Sequence, residues 1–200
     1  MTTNRKFPTL ALIILIIGLV AVASIVVLFM ISPVVSPRSN IASIEQAKPL
    51  AEQYMVRVSS GLKVKEIMEF SNNFYVIAQE ENTGVNAFEL LVDRNTGSVG
   101  PEPGPNIMWN TKYGMMGGYR GTPTASMPVS ASIALEYAQN WLDMNMPGAK
   151  VEEPETFYGY YTIDFSRNGD IYGMLSVNGY SGEVWYHTWH GQFIRMEEYE

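Results

Sequence analysis

The order of apolar and polar positions divides the chain into one long apolar run followed by two blocks of mixed periodicity. Residues 10–31 carry no charge and are interrupted only by Gly18 and Ser24. As a helix this run would measure about 33 Å, enough for a hydrocarbon core of ~30 Å. Arg5 and Lys6 precede it, so the positive-inside bias places residues 1–9 in the cytoplasm and the rest of the chain outside. A cleaved signal peptide is the rival reading. It fits less well, because the run exceeds the usual ~7–15-residue apolar region and Ile31, Ser32 and Pro33 make a poor cleavage site. The expectation is a retained signal-anchor in a single-pass protein of the cell membrane, with its C-terminal domain extracytoplasmic. Residues 32–42 contain Pro33 and Pro37 and read as a stiff linker.

The first block covers 43–99. Ile44, Ala47, Leu50, Ala51, Tyr54 and Val58 recur as one face of a helix over 43–60. Ser43 and Gln46 are placed for a capping box, and Gly61 for the C-terminal cap. Strands follow at 64–70, 74–80 and 87–92, and a turn over 93–97 leads to a short edge at Ser98 and Val99. The second block, 130–191, repeats the order. Ile133, Ala134, Tyr137, Ala138, Trp141 and Leu142 space as a helix, stopped by Pro147 and Gly148. Strands at 157–165 and 171–177 flank Asn168-Gly169, a strong hairpin signal, and a last strand covers 183–189. One constant offset separates Val92, Gly97 and Val99 from Val177, Gly182 and Val184. The predicted class is α+β: a single N-terminal transmembrane helix plus an ectodomain of two repeated helix/antiparallel-sheet units. Each unit is small for an independent core, so the two are expected to pack together.

The turns ending the two blocks carry a further signal. The first reads Asp93-Arg94-Asn95-Thr96-Gly97-Ser98-Val99 and the second Asn178-Gly179-Tyr180-Ser181-Gly182-Glu183-Val184. This pattern resembles the PepSY family, whose unit is a helix followed by an antiparallel sheet that often ends in D-x-x-T-G-x-V. The second copy departs from it, with Asn for Asp and Ser for Thr. The resemblance implies a noncatalytic module on the outer side of a membrane, of the kind found in peptidase propeptides and in sensory or regulatory membrane proteins. It supplies no catalytic residue. In physical terms Asp93 or Asn178 caps its own turn, and Gly97 or Gly182 supplies the positive φ.

Residues 100–129 connect the blocks. Their Pro and Gly content forbids a long helix, yet Trp109, Tyr113, Tyr119, Met108, Met115 and Met116 are not linker composition. The segment reads as an ordered loop packed over the domain or as a partner-docking surface. Trp109, Tyr113, Met115, Met116, Tyr119, Trp185 and Trp189 are the interface candidates.

Composition narrows the function. The net charge of −7 argues against nucleic acid as a partner. Three of the 13 basic residues and none of the 20 acidic ones precede residue 40, so the outer region is strongly acidic. The absence of cysteine removes disulfides, thiolate metal sites and a cysteine nucleophile. Glu152, Glu153 and Glu155 read as a solvated acidic loop, and residues 192–200 as a solvated acidic tail. The chain's two histidines, His187 and His190, lie three residues apart. On a continuous strand they would face opposite ways and could not share an ion. A turn at Trp189-His190-Gly191 would bring them together, and Met108, Met115 or Met116 could then add soft ligands for copper(I). No G-x-S-x-G, H-E-x-x-H or phosphate-binding glycine loop occurs, and no nucleophile–base pair can be assembled, so no enzyme and no cofactor other than copper is expected. The leading expectation is a noncatalytic, membrane-anchored binding or regulatory subunit, with the bilayer and a membrane or extracytoplasmic protein as partners. Copper handling and inhibition of an extracellular peptidase are the alternatives.

Overall fold

The computed structural model describes residues 40–115 and 126–199. The first helix, α1, runs Ile44–Val58. Ile44, Ala47, Ala51 and Met55 form its buried stripe, while Val58, assigned to that stripe from the sequence, is 46% exposed at the last turn. The expected Ser43 cap does not form. Gln46 Oε1 instead accepts from the backbone N–H of Ala42 at 2.8 Å. Strands β1 (Leu62–Phe70), β2 (Asn73–Glu80), β3 (Asn86–Asp93) and β4 (Val99–Pro101) follow as an antiparallel meander. After a single short turn of helix, α2 (Pro105–Met108), the next long helix is α3 (Ala131–Asn145), whose first turn Ser130 caps by accepting from Ile133 N–H. Strands β5 (Lys150–Thr156), β6 (Tyr160–Arg167), β7 (Asp170–Asn178), β8 (Val184–Tyr186) and β9 (Phe193–Glu198) complete the order.

Two antiparallel sheets result. The four-stranded one has the order β5-β6-β7-β8. The five-stranded one has β4-β3-β2-β1-β9, so the last strand of the chain crosses to the edge of the first sheet. Strand alternation sorts side chains between layers. On β2, Phe74, Val76 and Ala78 join Ile44, Ala47, Ala51 and Met55 of α1 in one core. On β6 and β7, Ile163, Phe165, Leu175 and Val177 pack on Ala134, Ala138 and Leu142 of α3 in a second. The alternate positions, Met68, Phe70, Tyr75, Ile77, Tyr160 and Met174, meet with Phe157 in a third core drawn from both sheets. The layers therefore run helix, sheet, sheet, helix. A polar network is buried in the middle of this stack.

Several sequence expectations need correction. No helix among the described residues is long and apolar enough to cross a membrane. The longest, α1 and α3, have 15 residues each, against the ~20 that a span requires. The span expected at 10–31 lies outside the described residues. The transmembrane helix, the signal-anchor, the single-pass topology with a cytoplasmic N-terminus and an extracytoplasmic domain, and the bilayer or membrane-protein partner are withdrawn. Among the described residues the observed class is an α+β domain of two antiparallel sheets and three short helices. Glu152, Glu153 and Glu155 lie on β5 rather than in a loop, and the acidic tail is largely β9, paired with β1 from Glu66↔Glu198 to Phe70↔Phe193.

The described part of the connecting segment, residues 100–115, packs against β3 and the second half of the chain. Asn106 stands in for a missing strand beside β3, accepting from Glu89 N–H at 3.1 Å and donating to Glu89 C=O at 2.9 Å. Asn110 donates to Ala87 C=O at 2.7 Å, and Thr111 N–H reaches Tyr158 C=O at 2.8 Å. Buried backbone groups of β3 are thereby satisfied where β4 has ended.

Candidate metal centre

Three side chains converge in the middle layer. Glu102 follows β4 directly, and its N–H donates to Glu89 C=O at 3.0 Å, which extends the β3–β4 pairing by one residue. His187 follows β8 in the same way, with its N–H donating to Met174 C=O at 3.1 Å. The chain then turns at Gly191, where φ is +83° and a Cβ would lie 2.2 Å from Ser71 Oγ. That turn is pinned to the first sheet: Asn72 and Asn73 side chains donate to Trp189 C=O, and Asn72 N–H donates to His190 C=O. His190 stacks on Phe70 with ring centres 4.6 Å apart, and His187 stacks on Trp189 at 4.8 Å. The two imidazoles are thus held on separate segments, although their numbers differ by three.

His190 Nε2 lies 2.9 Å and His187 Nδ1 3.3 Å from Glu102 Oε1, and the donor atoms of the three residues are all within 4.8 Å of one another. All three residues are buried, Glu102 completely. The distances are short, but the directions are wrong for hydrogen bonds. His187 Nδ1, His190 Nε2 and Glu102 Oε2 have no hydrogen-bond partner. Ligands about 2.0–2.1 Å from a tetrahedral ion stand about 3.3 Å apart. Nitrogens at this spacing, aimed beside the oxygen rather than at it, are arranged to share a third atom.

The surrounding hydrogen bonds set the tautomers. Asn73 Nδ2 donates to Trp189 C=O, so its Oδ1 accepts from His190 Nδ1–H at 3.0 Å. Thr162 Oγ1 donates to Glu89 Oε1 at 2.6 Å, so Ser176 donates to Thr162 at 3.1 Å and accepts from His187 Nε2–H at 3.0 Å. Each ring thereby keeps a proton on its outer nitrogen and turns the inner one toward Glu102, the orientation of a metal-ligating histidine. Trp189 Nε1 donates to Glu102 Oε1 at 3.0 Å and fixes the carboxylate. Burial works against a charge on Glu102, but the charges of His187 and His190 beside it outweigh burial and hold the carboxyl well below its usual range. The neighbouring Glu89 goes the other way. Burial, and then the charge on Glu102, push it well above the carboxylate range, against hydrogen bonds from Thr162, Tyr75 and Tyr160.

The other sequence candidates are dispersed. Met115 is 76% exposed, whereas the cluster is buried, and Met108 is half-buried on α2. The third donor is thus a carboxylate. Trp109 meets Trp185 edge-to-face at 6.2 Å, and Tyr113 bonds to Glu80. Met116 and Tyr119 lie outside the described residues. In the turns, Asp93 Oδ1 accepts from Asn95 and Thr96 N–H, and Asn178 Oδ1 from Tyr180 and Ser181 N–H. Gly97 and Gly182 have φ of +70° and +74°. Glu102 was missed from the sequence. Its signal was a lone carboxylate between Pro101 and Pro103 in an otherwise apolar stretch. In place of the expected membrane-anchored accessory subunit, the described structure is built around a buried His/His/Glu cluster able to coordinate a metal ion. No protein-family model matches this chain, and no curated protein or solved structure matches it.

Proposed function

We propose that the protein binds one transition-metal ion through His187 Nδ1, His190 Nε2 and the Glu102 carboxylate. The observation that carries this reading is the convergence of three buried donor atoms at ligand spacing with no hydrogen-bond partner of their own. Two imidazoles and a carboxylate suit a divalent ion of borderline softness, copper(II) or zinc, better than copper(I), which prefers thioether or thiolate. The role is binding rather than catalysis. What supports this is enclosure: the donors are buried beneath the Trp189 and Phe70 rings, so a bound ion would be shielded from bulk water. A relation to the PepSY family belongs to the same proposal, supported by the two helix-then-sheet halves and their Asp93 and Asn178 turns.

The test is equilibrium titration of the full chain with zinc and copper(II), with metal content measured on the same samples. The expected result is one ion per chain, with affinity about 100-fold weaker in Glu102→Gln and in His190→Ala. Asn73→Ala, which leaves all three donors in place, should cost about tenfold through the lost orientation of His190. Failure to bind either ion, or equal affinity in Glu102→Gln, would overturn the proposal and leave the cluster as a buried ion-pair network.

A further inference from the structure

Glu102, His187 and His190 are all buried, so an ion reaches them only if something moves. The side chains packed on the two imidazoles differ in their freedom to do so. Phe70, Tyr75, Asn73 and Ser176 are themselves buried, at 7% exposure or less. Trp189 is only half-buried. Its ring stacks on His187 at 4.8 Å and lies 5.8 Å from that of His190, and its Nε1 donates to Glu102 Oε1 at 3.0 Å. It therefore meets all three residues of the cluster and solvent as well. The far end of the indole lies over Gly104, where a Cβ would stand 3.5 Å from Cη2.

The main chain and the side chain of Trp189 are held differently. Its C=O accepts from the Asn72 and Asn73 side chains, each at 3.2 Å, and His190 C=O accepts from Asn72 N–H at 3.1 Å. Ser71 and Gln192 add two further bonds, at 2.8 and 3.0 Å. The backbone is thereby fixed to the first sheet. The indole is held by its bond to Glu102 and by ring contacts, and rotation about χ1 and χ2 releases both without moving the backbone. We infer that the Trp189 indole is the movable cover of the cluster, and that its swing is the route by which an ion enters and leaves. This rests on the metal reading above and adds how that site is loaded. Opening also takes the indole N–H off Glu102, so the carboxylate is freed as the ion arrives. Uptake behind such a cover is limited by opening once the ion is abundant.

Stopped-flow mixing of the full chain with copper(II), read by quenching of tryptophan fluorescence, tests this. In the parent the uptake rate should level off as copper(II) rises. Trp189→Phe keeps a ring against His187 but has no N–H for Glu102, and its uptake should be about tenfold faster, the effect of one lost charge-assisted hydrogen bond. A residue that only positioned the carboxylate would change release and leave uptake as it was. A second readout needs no metal: modification of His187 and His190 by diethyl pyrocarbonate, located by mass spectrometry on samples whose circular dichroism matches the parent. Both histidines should resist in the parent and react about tenfold faster in Trp189→Phe. Uptake that rises linearly with copper(II) throughout, or equal uptake rates in the two proteins, would overturn the inference. No uptake by the parent would overturn the metal reading instead. The histidine reactivities then decide the cover alone, and equal reactivity in parent and Trp189→Phe overturns it.

Discussion

Glu80 and Glu66 are both buried carboxylates on the first sheet, and their surroundings decide opposite outcomes. Burial, then the charge of Glu155, pushes the Glu66 carboxyl up to about 7. Glu80 accepts from Lys112 at 2.5 Å, from Tyr113 and Thr83 hydroxyls at 2.7 Å, and from Tyr158 at 3.0 Å. Burial opposes its charge, but the hydrogen bonds of Lys112, Thr83, Tyr113 and Tyr158 prevail and bring it down to about 2. These bonds tie the connecting segment to both halves of the molecule. A carboxyl whose value is depressed on folding adds stability above its ordinary value of 4.5, and that contribution is lost as pH falls towards about 2. Glu80→Gln should therefore cost about 2 kcal/mol at neutral pH. The gap from the parent should close in melting curves taken at successively lower pH. At this scale the sequence showed both histidines and the turn that brings them together. Glu102 was marked only by its place between Pro101 and Pro103, and a local setting of that kind does not show that a carboxylate is buried. Its partners, His187, Trp189 and His190, come from the segment between β8 and β9, far away in the chain.

At the scale of elements, α1 and α3 were legible because their apolar positions repeat with helical spacing and end at Gly61 and at Pro147-Gly148. The central strands were legible from alternation and from the Asn168-Gly169 hairpin. Strands β5 and β9 were not. Both are edge strands, and their many Glu residues face solvent or the open edge between the sheets, so neither shows an apolar face. For β9 the pairing comes from main-chain bonds and from Arg195, which reaches Glu69 at 3.0 Å while Arg94 holds the other oxygen at 2.7 Å. Phe193 adds an edge-to-face contact with Phe70 at 5.8 Å. Ending the chain at Gln192 should lower stability by about 3 kcal/mol and expose the edge of β1. The expected observations are a lower denaturant midpoint and self-association on sizing. An unchanged midpoint would show that β9 is dispensable.

At the scale of the whole molecule, the decisive feature is what lies between the sheets. Two helix-on-sheet layers could have met through an apolar face alone, as Met68, Phe70, Tyr75, Tyr160 and Met174 begin to do. Instead the interface encloses Glu89, Glu102, Thr162, Ser176, His187 and His190, joined by hydrogen bonds from one sheet to the other. A buried network of this kind costs desolvation and gives little net stability. Its arrangement is accounted for by the lone pairs it orients. The crossing of the last strand to the first sheet brings His190 beside Asn73 and so completes the set.

The measurement that bears most directly on this account is X-ray absorption at the metal edge of the full chain loaded with one equivalent of zinc or copper(II). The account predicts a first shell of nitrogen and oxygen at about 2.0–2.1 Å with the outer-shell pattern of two imidazoles, and loss of the oxygen contribution in Glu102→Gln. A sulfur shell near about 2.3 Å, or a first shell without imidazole, would contradict it and place the ion elsewhere.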